Sequence, residues 1–127
     1  MKSPGGSIFP YYYKGGEIHC LKYGNKYKDA DALFHVMKQE EDFILTTNRQ
    51  LKVWVDFYKT SITDNVLIAF VENINRLNGH INKLAVVGLS SFNIWRLKRK
   101  IRKTKLSLNI SFYADPEDAK TWLVSDR

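Results

Sequence analysis

Two short apolar runs, LKVWVDFY (51–58) and KLAVVGLS (83–90), flank one strongly amphipathic stretch, TDNVLIAFVENINRLNG (63–79). In the stretch between them, Val66, Leu67, Phe70, Val71, Ile74 and Leu77 recur at helical spacing and form a wide stripe. Thr63 or Asp64 can cap its start, and Gly79 fits its stop. The flanking runs are β-branched and apolar on both faces, as strands covered from both sides are. A buried strand, a helix and a second buried strand constrain the chain to a β-α-β unit in a parallel sheet.

The remaining segments extend this pattern. YYYKGGEIHCLKYG (11–24) reads as two strands around a tight Lys14-Gly15-Gly16 turn. ADALFHVMK (30–38) places Ala30, Leu33, Phe34 and Met37 on one helical face, behind an Asp29 cap. A basic helix follows the second apolar run, capped by Ser90 or Ser91. LSLNISFY (106–113) alternates, with Leu108, Ile110 and Phe112 facing one way and Asn109, Ser111 and Tyr113 the other. Last comes DPEDAKTWLVSD (115–126). Asp115 caps it, Pro116 takes the first helical position, Glu117 and Asp118 meet the positive end of the dipole, and Trp122 and Leu123 anchor it. The expected class is α/β: a single, mainly parallel sheet with an N-terminal antiparallel hairpin and about four helices. Met1–Pro10 contains SPGGS and is expected to be a flexible tail. Residues 11–127 are expected to form one domain.

Charge is concentrated rather than spread. Of 20 lysines and arginines, seven fall between Arg96 and Lys105, and these seven match the whole net charge of +7. On a helical wheel, Ile94, Leu97 and Ile101 face inward, while Arg96, Arg99, Arg102 and Lys103 lie broadly opposite. Trp95 falls on that outer side, one turn from Arg99. A tryptophan among arginines can stack on bases or sit at an anionic lipid surface. The ordinary alternative is a solvated face with Trp95 shielded by arginine stems. Nucleic-acid binders usually spread charge over several elements; here one element carries it. The field decays over ~8 Å at physiological salt, so an anionic partner must touch this helix.

Other chemistry finds little support. His19, His35 and His80 have no ligand at metal spacing, and neither metal nor cofactor is expected. His19 and Cys20 are adjacent on a strand and point to opposite faces, which excludes a dyad. A single cysteine forms no internal disulfide and suits a reducing cytoplasm. No apolar run approaches the ~20 residues of a membrane span. At the carboxyl ends of the strands, Gly88, Ser90 and Ser91 precede a helix and suggest a small-anion site. Asp56, Asp64 and Asp115 belong to the same edge, and a phosphate-site enzyme there is a further alternative. Glu40, Glu41 and Asp42 oppose the dipole if they end the first helix. Either that helix stops near Lys38 or the acids meet basic groups, such as the basic helix of a second copy in a homo-oligomer.

Three phrases resemble the STAS-like superfamily of anti-sigma-factor antagonist domains and their relatives, over about Tyr11 to Leu123. VWVDFYKTSITDN is similar to that family's strand-Asp, loop, Asp-Ser-helix signature. NKLAVVGLS looks like its next central strand, and SFYADPEDAKTWL like its closing strand and acidic-capped helix. The resemblance implies a non-catalytic domain that regulates by protein contact in a bacterial cytoplasm. The partner-binding rim would then be Asp64, Asn65 and Ile68, the last lying off the apolar stripe. One departure matters. Where the family's partner-switching members carry a phosphorylated serine or threonine, this chain has Asn65, and the Ser-Gly-Leu-Gly that follows is replaced by Val66-Leu67-Ile68-Ala69. An amide accepts no phosphoryl group, so the resemblance carries the fold and the binding habit and not the phosphoswitch.

Overall fold

Among the described residues, five strands stand side by side in chain order: β1 (Tyr11–Tyr13), β2 (Gly16–Lys22), β3 (Leu51–Asp56), β4 (Ile81–Val87) and β5 (Asn109–Tyr113). β1 and β2 are antiparallel, and every other neighbouring pair is parallel. Four helices accompany them: α1 (Ala30–Thr47), α2 (Asp64–Arg76), α3 (Ser91–Arg102) and α4 (Pro116–Leu123). The computed structural model describes residues 1–24 and 29–125. The architecture is the mainly parallel α/β sheet with an N-terminal hairpin that the sequence leads one to expect.

The hairpin turns on Lys14 and Gly15, both at positive φ, which suits the twist of the flanking strands. After it, each parallel strand lies beside its predecessor. Three crossovers of one hand therefore deliver α1, α2 and α3 to the same face of the sheet, α1 packed on α2 and α2 on α3. Alternate residues of β3 and β4 (Val53, Val55, Leu84 and Val86) join Leu67, Phe70 and Ile74 in the main core. Phe57 and Phe70 meet edge to face, with centroids 4.9 Å apart. On the other face lies α4 alone, whose Ala119 and Leu123 pack on Ile18, Ala85 and Val87. Lys83 reaches under it and donates from Nζ to the Trp122 and Ser125 carbonyls at 2.9 and 3.0 Å, closing the end of the helix.

The caps follow local chemistry. Asp29, Thr63, Ser90 and Asp115 each accept a first-turn amide hydrogen bond. Thr63, not Asp64, is the cap of α2. α3 ends at Arg102, so Lys103 is its C-cap and Lys105 lies beyond the helix.

One expectation is corrected, and one open alternative is decided in favour of acids that meet basic groups. Residues 1–10 are not a free tail: Phe9 is buried, Ser3 Oγ donates to Glu40 Oε2 at 2.9 Å, and Ser7 Oγ donates to the Cys20 carbonyl at 2.6 Å. One aromatic anchor and two hydroxyls outweigh the local signal of the glycines. Second, α1 does not stop near Lys38 but runs to Thr47, ending on Asn48 at positive φ. Its inward stripe continues through Glu40 and Glu41, whose burial reflects partners inside the chain. Glu40 lies 3.4 Å from His19 Nε2, and Glu41 takes Arg76 Nε at 2.9 Å and Asn73 Nδ2 at 3.1 Å. Neither acid is available to a second copy; Asp42 is exposed and pairs with Lys38.

Glu40 and His19 side chains are both fully buried, and His19 Nδ1 already lacks a partner among the described residues. Removing the carboxylate takes from the ring its hydrogen-bond partner among the described residues and leaves the Ser3 hydroxyl with no acceptor there, only the Ser7 amide that donates to it. Glu40→Ala is expected to lower the unfolding free energy by about 2–4 kcal/mol in urea melts, while Asp42→Ala leaves the midpoint where it was. Equal midpoints for the two variants would refute a stabilising role for the Glu40 network.

Candidate functional site

The start of α2 and the length of α3 lie together on the three-helix face. Asp64 opens α2 one residue after the Thr63 cap, and its carboxylate turns toward α3. There it meets Lys100 Nζ at 2.6 Å and Arg96 Nη2 at 3.7 Å. The Lys100 hydrogen bond is the largest influence on the Asp64 carboxyl; desolvation, next in size, opposes it, and the Lys100, Arg96 and Lys103 charges add to it, so the group is held below its ordinary range. Arg96 also donates from Nη1 to the Ile62 carbonyl at 3.0 Å and to Asn93 Oδ1 at 2.9 Å. It is a brace between α3 and the loop leading into α2, rather than a side chain fanned into solvent.

Outside this brace stand two exposed aromatic rings. Phe92 is 65% exposed and Trp95 50% exposed. Their planes lie 25° apart with centroids separated by 6.2 Å. The Arg96 guanidinium sits 5.6 Å from the Phe92 centroid and the Arg99 guanidinium 5.2 Å from that of Trp95. The rings, Asp64 and the cations Arg96, Arg99 and Lys103 line one shallow cleft of about 360 Å³. Ile68, 42% exposed, lies one turn along α2 from Asp64. Asn65 is exposed in the first turn of the same helix.

The structure thus joins two groups that the sequence offers as alternatives. Asp64, from the rim beside Asn65 and Ile68, shares a cleft with Trp95, Arg96, Arg99 and Lys103 of the basic helix. Arg102 points elsewhere: its Nε donates back to the Lys98 carbonyl at 3.4 Å. Phe92 and Lys100 escaped the sequence reading. Phe92 was detectable as a second aromatic, three residues before Trp95 and off the Ile94, Leu97, Ile101 arc. Lys100 was not, because its partner lies 36 positions away on another helix.

The carboxyl edge looks different. Gly88 sits at φ +94°, and a Cβ there would come within 2.6 Å of the Tyr58 amide nitrogen, so its glycine serves backbone packing. The Ser90 hydroxyl is taken by the Asn93 amide at 3.2 Å, and Ser91 is the first residue of α3. Asp56 accepts from the Tyr58 amide and Asp115 from the Glu117 amide, each at 2.9 Å, while Asp64 faces Lys100. Among the described residues no three His, Cys, Asp or Glu side chains gather where a metal ion could be held. His19 faces the main core and Cys20 the α4 side, as their adjacency on β2 requires. No helix among the described residues is long and apolar enough to cross a membrane. Comparison with family models, with curated proteins and with solved structures returned no match.

The Asp64–Lys100 contact has a direct readout. Followed by NMR, the Asp64 carboxyl should titrate below the ordinary aspartate range, and Lys100→Ala should bring the midpoint back toward that range. The sign follows from the lowered value. The stabilisation from this pair is complete above the unfolded pKa of an aspartate and is lost as pH falls through the depressed one. An Asp64 midpoint indifferent to the Lys100 substitution would refute the assignment.

Proposed function

We propose that this chain is a non-catalytic, STAS-like regulatory module that docks an acidic protein partner on the α2–α3 surface. The observation that carries the reading is the pair of stacked, exposed rings, Phe92 and Trp95, ringed by Arg96, Arg99 and Lys103. Aromatic anchors with arginine neighbours are the side chains on which protein interfaces concentrate their binding energy. Ile68 adds apolar area near the rim, and Asp64 fixes the cations that face it. The charge favours an acidic protein over a polynucleotide, because the excess cations gather in and just after α3 and, among the described residues, no second helix or strand carries a comparable cluster along which a phosphate backbone could run. The resemblance of about Tyr11 to Leu123 to STAS-like domains supports the same class, and a bacterial cytoplasm is the setting that goes with this reading. Asn65 lacks the hydroxyl of the phosphorylated relatives, so partner choice here depends on concentration or on a ligand.

A second reading, binding to nucleic acid or to an anionic membrane, draws on the Arg99 guanidinium over the Trp95 ring, a geometry that also suits base stacking.

Affinity capture from the source cell's soluble fraction tests both. A protein recovered by the parent chain should be lost, by about tenfold or more, with Trp95→Ala and with Arg99→Glu, and retained with Arg49→Glu, a substitution on the far side of the chain. Recovery indifferent to Trp95 and Arg99 would reject this surface. DNA, RNA or anionic-vesicle binding that falls steeply with salt and vanishes in Arg99→Glu would transfer the surface to the second reading.

A further inference from the structure

α4 covers only part of the sheet face on which it packs. Beside it, a cavity of about 380 Å³ opens over the ends of β2 and β3. That is the small end of the range for ligand pockets. Its floor is two cross-strand pairs in register, Cys20 opposite Trp54 and Lys22 opposite Asp56. One wall is Ile8 and Tyr11, both exposed apolar side chains, and the other is Lys120 of α4. The wall at Ile8 belongs to the fold, since Ser7 Oγ bonds the Cys20 carbonyl at 2.6 Å and Phe9 is buried in the core.

The chemistry of this space is aromatic and apolar with a cation at its edge. Burial, and then the Asp56 charge, push the Cys20 thiol up to about 12, so it is neutral near pH 7 and floors the cavity as a small apolar group. Lys120 Nζ lies 5.6 Å from the Trp54 ring centroid and 5.3 Å from that of Tyr13. Its carboxylate partner is Glu117, at 3.0 Å on the same helix and largely exposed to solvent. Such a pair is already weakened by water and is easily shared with an incoming anion. The Lys22 ammonium, which reaches the Gly6 carbonyl at 3.3 Å, adds positive charge at the same end. Asp56 is the one carboxylate on the lining among the described residues, and its Oδ1 is engaged by the Tyr58 amide.

We infer that this cavity binds a small aromatic carboxylate, its ring lying against Trp54 between Ile8 and Tyr11 and its carboxylate directed at Lys120. A cationic ligand would face two ammonium groups. A metal would find a single carboxylate. A nucleotide would need both a larger space and a cradle of backbone amides. The site lies on the opposite face of the sheet from the α2–α3 surface, and it stands or falls independently of the partner proposed there.

The full chain, titrated with 2-naphthoate and, separately, with 2-naphthamide, supplies the test by amide and indole NMR. Naphthoate should shift the Trp54 indole and the Cys20 and Lys22 amides saturably, and naphthamide should bind about tenfold more weakly for want of the charge. Lys120→Glu and the milder Lys120→Gln should both weaken naphthoate while preserving the spectrum elsewhere, and Phe92→Ala should leave its affinity unchanged. Any of three results would overturn the inference: no saturable shift at Trp54, equal affinity for acid and amide, or full affinity in Lys120→Gln. Shifts centred on Trp95 instead would assign the ligand to the other face and equally overturn it.

Discussion

Parallel strands laid down in chain order fix where everything else in this molecule can go. Each of β3, β4 and β5 is reached from its predecessor by a crossover of the same hand, so α1, α2 and α3 are stacked on one face. That face closes over a core of Val53, Leu67, Phe70 and Leu84. The other face is left to α4, which has only eight residues. A helix that short packs through Ala119 and Leu123 on Ile18, Ala85 and Val87 but leaves open the Cys20–Lys22 end of β2 and the Trp54–Asp56 end of β3. The N-terminal ten residues come back across the open side, and the gap between them and α4 is the cavity over Cys20 and Trp54.

The same stacking explains the state of the basic helix. Seven cations within ten residues repel one another at helical spacing. Packing the start of α2 beside α3 sets one carboxylate, Asp64, between Arg96 and Lys100 and relieves part of this repulsion. Arg96 is further committed to the Ile62 carbonyl. Arg99 and Lys103 gather with Phe92 and Trp95 around the cleft, while Lys98, Arg102 and Lys105 are exposed outside it. Engaging Arg96 and Lys100 with Asp64 thus sets an apolar centre, Phe92 and Trp95, among the cations of the helix that remain exposed.

Periodicity and caps carried most of the fold into view. The stripe from Val66 to Leu77, the two-sided apolar strands and the caps at Asp29 and Asp115 are all signals within a few residues of one another, and all correspond to elements of the structure. The features that escaped depend on distant partners. A glutamate bound for the interior has the same letter as one bound for water. Glu40 and Glu41 are distinguished only by Ser3, His19, Asn73 and Arg76, which the fold brings from 21 to 37 positions away. SPGGS reads as coil because its anchor, Phe9, lies just outside it. The cleft at Asp64 required knowing that α2 and α3 are neighbours, which follows from strand order, and strand order leaves no mark in a single sequence.

The contact between Asp64 and Lys100 also bears on regulation under the STAS-like reading. A phosphate attached just after the second aspartate of the motif would introduce about two negative charges at the start of α2. In this chain that position is Asn65, and the residue before it, Asp64, engages Arg96 and Lys100. A permanent carboxylate offers no second state there. The α2–α3 surface is then held in one charge arrangement at neutral pH. Under that reading, a switch at this position is missing, and control of the proposed docking falls to the abundance of the partner or to a ligand.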